Sequence, residues 1–79
     1  MSWDKKLSRP LVLKDGERLE TLSDARDLIL ERFISVTHSV ALVHAGELLL
    51  EAAETGERAD IAAATDQIEL VLMQKRLMQ

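Results

Sequence analysis

Residues 10–22, PLVLKDGERLETL, carry the clearest local structural signal in this chain. Two short runs flank Asp15-Gly16, and an Asp-Gly pair supplies the positive φ angles of a tight hairpin turn. Pro10 can stand at the head of the first run, because an edge strand tolerates the missing N–H. In the second run, Leu19 alternates with charged neighbours. The stretch therefore predicts a half-buried, two-stranded β-hairpin that helices must cover.

The segment after the hairpin carries the signals of a first helix. Thr21 or Ser23 can act as its N-cap, and Asp24 lies in the first turn, where the helix dipole favours negative charge. Apolar residues then recur at helical spacing on one side, so that the helix is expected to end near Ile34.

Two further helices are predicted downstream. One extends from about residue 38 to 55 and stops before Gly56, a residue type common after the last helical turn. The other extends from about residue 61 to 77 and is capped by Asp60. The short connection predicts an antiparallel αα-hairpin. Gly46 in mid-helix favours a close crossing of another helix, since glycine there costs up to about 1 kcal/mol relative to alanine.

Length and composition indicate one small α+β domain. The chain has 79 residues, of which 47% are hydrophobic and 30% charged, values typical of a globular protein. We expect residues 1–79 to form a single domain in which residues 1–8 are a flexible or loosely packed tail.

The chain contains no cysteine, which excludes a disulfide framework and thiolate chemistry. A domain this small without disulfides is expected in the cytoplasm. No run approaches 18 uncharged apolar residues, and the first ten residues lack the apolar core of a signal peptide.

Charge is distributed unevenly along the chain. The formal net charge is −4, yet residues 1–14 carry +3 and residues 15–60 carry −7. An acidic body is a poor electrostatic match for a polyphosphate. Nucleic-acid binding is therefore a less favoured hypothesis than either an enzyme or a protein–protein interaction module. The basic residues that such binding would use are Lys5, Lys6, Arg9, Lys14 and Arg18.

The order of several short motifs resembles a known family. Trp3, Pro-Leu-Val at 10–12, Gly16, Thr-Leu-Ser-Asp-Ala at 21–25 and Ala-Ala-Glu-Thr-Gly at 52–56 are similar to a small bacterial family of domains of unknown function. That family is found chiefly in alphaproteobacteria of the rhizobial kind. The resemblance covers nearly the whole chain, implies a β-hairpin followed by helices, and implies no activity.

One cluster on the second helix has the spacing of metal ligands. His44, Glu47 and Glu51 would share a helix face, and Asp66 or Glu69 on the third helix could approach them. A metal- or ligand-dependent enzyme built on this cluster is one hypothesis. A solvated helix face is the interpretation we favour, and with it we expect no bound metal or cofactor.

Nucleophilic catalysis has little support. His38 could act as a general base, although a lone histidine at a helix start more often packs or caps. The serines lie near turns and helix starts, where they cap, and the three glycines are too dispersed to cradle a phosphate. We therefore lean against an enzyme.

Surplus apolar helix surface is the most informative signal. Val43 and Leu50 on the second helix, with Leu70, Met73 and Leu77 on the third, fall outside the stripes needed for an intramolecular core. A twofold homodimer that buries them is the simplest solution. The alternative is that the first helix or the N-terminal tail covers them within one copy. We expect a non-enzymatic protein–protein interaction module that self-associates.

Overall fold

The computed structural model describes residues 2–33 and 40–76. It shows the predicted α+β architecture, a two-stranded hairpin followed by helices. The elements in chain order are β1 (Lys6–Val12), β2 (Arg18–Thr21), α1 (Leu22–Leu28), a π-helical segment (Ile29–Phe33), α2 (Val40–Thr55) and α3 (Arg58–Gln74). None of the helices in the described ranges is long and apolar enough to span a lipid bilayer.

The hairpin turn lies where the Asp-Gly pair predicts it. The Leu13 N–H donates to the Glu17 carbonyl at 2.8 Å, and the Gly16 N–H donates to the Leu13 carbonyl at 3.0 Å. Gly16 has a φ of 89°, whereas Asp15 keeps a negative φ. A β-turn followed by one glycine in the left-handed region is the geometry of a three-residue hairpin loop. The strands are therefore not joined by a two-residue loop made of Asp15 and Gly16 alone.

The first strand begins at Lys6, earlier than the predicted start at Pro10. Lys6 pairs with Thr21 and Leu11 pairs with Leu19, and the register shifts between these two pairs. The extra residues of β1 form an irregular, bulged segment that contains Pro10. The missing N–H of proline therefore lies where the ladder of hydrogen bonds is already interrupted.

Ser2 and Trp3, at the start of the described chain, contact the helices. The Ser2 N–H donates to the Ala53 carbonyl on α2 at 2.7 Å, and the Ser23 N–H on α1 donates to the Trp3 carbonyl at 2.9 Å. Trp3 also packs against the buried core. The first turn of α1 needs acceptors for its N–H groups, and this segment supplies them.

Thr21, one of the two predicted candidates, is the N-cap of α1. Its hydroxyl accepts from the Asp24 N–H at 3.1 Å, while the Asp24 carboxylate accepts from the Thr21 N–H at 3.1 Å. This reciprocal pair is a capping box. The α-helix ends at Leu28, and a π-helical segment continues it to Phe33. The predicted end at Ile34 lies outside the described residues.

The turn between α2 and α3 differs from the prediction on one side only. As predicted, α2 ends at Thr55, and Gly56 has a φ of 65°. Helix α3 begins at Arg58, before the predicted start at residue 61, and its N-cap is Glu57. The predicted cap, Asp60, lies in the first turn and accepts from the Thr55 hydroxyl at 2.6 Å. Helix α3 also ends earlier than predicted, at Gln74.

The core lies between the hairpin and the helices. Helix α2 packs chiefly on α3, β1 packs on α3, and α1 packs on α2 and β2. Small residues at the centre of the helix pair are fully buried, which brings the helices close together; they are Ala45, Ala52, Ala53 and Ala64. Gly46 is not part of this contact, because a Cβ there would have no neighbour within 4 Å. The predicted close crossing at Gly46 is therefore wrong within the described chain.

Candidate interaction surface

Four of the five residues predicted to be surplus to the core are exposed. The exposed fractions are 56% for Val43, 45% for Leu50, 46% for Leu70 and 60% for Met73. Leu77 lies outside the described residues. Neither α1 nor the N-terminal segment covers these four side chains, so this part of the alternative does not hold. We call these four residues the α2–α3 apolar surface.

The helical repeat explains why these side chains stay outside the core. Val43 and Leu50 are separated by almost two turns, so they lie along one side of α2, with Gly46 between them. Leu70 and Met73 are three positions apart and share one side of α3. The opposite sides of both helices already fill the core, as shown by the buried Leu42, Leu49, Ile61, Ile68 and Leu72.

Two further apolar residues that the predicted surface did not include are also exposed. Val40 is 86% exposed and Leu30 is 49% exposed. Val40 precedes Val43 by about one turn of α2, a spacing that could have added it to the predicted surface. Leu30 lies in the π-helical segment, where the rotation per residue departs from the α-helical value that was used to assign faces.

The metal-ligand hypothesis gains no geometric support. His44, Glu47 and Glu51 are all exposed on α2. Asp66 and Glu69, which could have completed a site, contact a cation on β1 instead. Within residues 2–33 and 40–76, no three histidine, aspartate or glutamate side chains are grouped so that they could hold a metal ion.

The cation that Asp66 and Glu69 contact is Arg9, on β1. Its Nη2 atom lies 2.7 Å from the Glu69 carboxylate and 2.9 Å from the Asp66 carboxylate. The hydrogen bonds that the Arg9 guanidinium donates to Glu69 and then to Asp66 raise its pKa above the ordinary value. The pairing joins β1 to α3 at the protein surface, and it occupies one of the residues proposed for nucleic-acid contact.

The remaining basic candidates are separated by the hairpin. Lys5 and Lys6 lie at its open end, beside Thr21, whereas Lys14 and Arg18 flank the loop at its other end. The structure therefore does not gather the basic residues into one stripe along the chain surface. His38, the candidate general base, lies outside the described residues.

Neither a known protein family, nor a curated protein, nor a solved structure matches this chain. The structure shows the architecture that the sequence resemblance implied, a β-hairpin followed by helices.

Proposed function

We propose that this protein is a non-enzymatic interaction module that forms a twofold homodimer through the α2–α3 apolar surface. One observation carries the proposal. Val43, Leu50, Leu70 and Met73 remain about half exposed on two helices whose opposite sides form the core. Exposed large apolar side chains on two neighbouring helices of a small domain are typical of a contact site.

Charge complementarity favours a second copy as the occupant. The charged residues that are exposed toward the C-terminus of α2 are acidic: Glu51 and Glu54. The C-terminal end of α3, at the other end of the helical hairpin, carries the exposed Lys75 and Arg76. A twofold axis that sets two hairpins antiparallel would place Lys75 and Arg76 of each copy near Glu51 and Glu54 of the other.

Gly46 supports the same arrangement. It lies between Val43 and Leu50 on one side of α2, and a Cβ at this position would meet no atom within 4 Å. A glycine in mid-helix costs up to about 1 kcal/mol relative to alanine, and no contact within the described chain offsets that cost. The close approach of a helix from a second copy would do so.

Thermal unfolding at several protein concentrations tests this proposal. A dimer that unfolds to two chains gives a Tm that rises with concentration, whereas the Tm of a monomer is constant. We expect the wild-type Tm to rise over a range from micromolar to millimolar. Leu50→Glu places a charge in the proposed interface and should abolish the dependence. A wild-type Tm that does not change with concentration would contradict the proposal.

The proposed setting is the bacterial cytoplasm. The absence of cysteine supports a reducing compartment, where small domains do without disulfides. The bacterial origin rests on the family resemblance alone.

A further inference from the structure

A cleft with a purely cationic set of charged residues lies where β1 meets the turn between α2 and α3. Its volume is about 550 Å³. The charged residues that line it are Lys5, Lys6 and Arg58, and no carboxylate is among the lining residues. Leu7 and Ile61, both buried, also line the cleft and give it an apolar wall. The sequence places Arg58 about fifty residues from the two lysines, so only the fold reveals the cluster.

Among the described residues, none of these three cations lies within ion-pair distance of a carboxylate. Elsewhere in the described ranges, Arg9 is paired with Asp66 and Glu69, and Arg26 is paired with Asp27. No ion pair of Lys5, Lys6 or Arg58 is present in residues 2–33 and 40–76. Like charges around one cleft repel each other, whereas an anion bound between them would be attracted to all of them.

The backbone holds the lysines in place at the rim. The Lys5 carbonyl accepts from the Leu22 N–H at 2.9 Å, and Lys6 is paired with Thr21 across the hairpin. The aliphatic stem of Lys5 runs across Gly56, where an added Cβ would lie 3.1 Å from the Lys5 Cε atom. The positive φ and the missing side chain of Gly56 therefore make room for this stem.

The start of α3 lies beside the cleft. Arg58 is the first residue of the helix, and the side chain of the N-cap Glu57 makes no hydrogen bond to the helix start. The unpaired N–H groups of a first turn carry partial positive charge. Asp60, the acid of this turn, accepts from the Thr55 hydroxyl.

We propose that this cleft binds a small phosphate-bearing molecule. Lys5, Lys6 and Arg58 contact the phosphate oxygens, and Leu7 and Ile61 contact the less polar remainder. An arginine fork is well suited to two oxygens of one phosphate, while the lysines act as point charges. The volume falls in the range of small-molecule sites. A nucleic acid fits less well, because Arg9 is occupied and the body of the protein is acidic.

Titration with inorganic pyrophosphate, followed by backbone amide NMR at constant ionic strength, tests the site. We expect saturable shifts centred on Lys5, Lys6, Gly56 and Arg58. Arg58→Gln should weaken binding about tenfold, the scale of one charge-assisted contact. The matched control is Lys14→Gln, which removes the same charge at the hairpin loop and should bind like the wild type.

Three results would overturn the proposal. One is a set of shifts that stays linear in concentration, which indicates screening by salt. Another is equal weakening by Lys14→Gln and Arg58→Gln. The third is a single-stranded oligonucleotide that saturates the same amides far below the pyrophosphate concentration, which would assign the cleft to nucleic acid. Leu50→Glu leaves the cleft intact, so that pyrophosphate binding and self-association are measured separately.

Discussion

The hydroxyl oxygen of Thr65 on α3 accepts a hydrogen bond from the backbone N–H of Ser8 in β1, at 3.1 Å. The two residues are 57 positions apart in the sequence. The same hydroxyl donates to the Ile61 carbonyl at 2.8 Å, and Thr65 is fully buried. One buried side chain thus joins the third helix to the irregular part of the first strand.

Replacing this hydroxyl by a methyl group should destabilise the fold. Thr65→Val keeps the shape of the side chain but leaves the Ser8 N–H without its acceptor, at a cost of about 1–3 kcal/mol. Thr65→Ser keeps the hydroxyl and should retain the hydrogen bond, losing only the methyl group. Urea unfolding of the two variants measures the difference. A Thr65→Val variant as stable as the wild type would show that the bond contributes little.

The capping box predicts a loss of stability at acidic pH. Hydrogen bonds from the backbone N–H groups of Glu20 and then Thr21, with the Thr21 hydroxyl, hold the pKa of Asp24 below its ordinary value. A carboxylate with a lowered pKa stabilises the folded state above its unfolded-state pKa, about 4. This contribution is lost as the pH falls through the folded-state pKa.

Asp24→Asn isolates that contribution. The free energy of unfolding of the wild type minus that of Asp24→Asn should be constant above about pH 5 and should shrink as the pH falls below about 4. Urea unfolding at a series of pH values gives both curves. A difference that stays the same at pH 7 and at low pH would mean that the Asp24 carboxylate is not stabilised in the folded protein.

Two glycines should respond to alanine in opposite directions. Gly56 has a φ of 65° and packs against Lys5, so Gly56→Ala should destabilise the protein by about 1–2 kcal/mol. Gly46 lies in mid-helix, and a Cβ added there would meet no neighbour within 4 Å. Gly46→Ala should therefore stabilise the isolated chain by up to about 1 kcal/mol. Unfolding at low protein concentration, where association is weak, makes the comparison. Destabilisation by Gly46→Ala under those conditions would reveal a contact inside the chain.

Trp3 should be part of the cooperative fold. It packs against the core, and the Arg26 guanidinium lies 4.7 Å from the centre of its ring. Trp3→Ala should cost about 1–3 kcal/mol through lost apolar burial. Arg26→Gln removes the cation–π contact together with the exposed ion pair to Asp27, and it should cost about 0.5–1 kcal/mol. Circular dichroism during chemical unfolding compares the two. A Trp3→Ala variant of wild-type stability would mean that the Trp3 side chain contributes little to the fold, as a loosely packed tail would.

Local chemistry predicted the parts of this fold that depend on neighbours in the sequence. The Asp-Gly turn, the Thr21 cap and the Gly56 helix end each need only a few adjacent residues, and all three are present. The start of β1 at Lys6 was missed because it depends on Thr21 as a cross-strand partner. The predicted start of α3 lies three residues after the observed one, because Asp60 has the side chain of a good N-cap. In the structure, Asp60 lies within the first turn and accepts from the Thr55 hydroxyl.

Of the two candidate sites, one is predictable from local sequence and the other is not. The helical repeat was enough to predict the exposure of Val43, Leu50, Leu70 and Met73, because it depends on the face of each helix alone. The cationic cleft was not predictable, since it requires the chain to bring Arg58 beside Lys5 and Lys6.

Sedimentation equilibrium at micromolar concentration tests the central claim most directly. We expect a mass near twice 8.9 kDa for the wild type. We expect a mass near 8.9 kDa for Leu70→Glu, whose new charge would be buried at the interface. Ala59→Glu adds the same charge to an exposed position about 16 Å along α3, and it should sediment as the wild type does. A wild-type chain that sediments at 8.9 kDa throughout the concentration range would contradict the account.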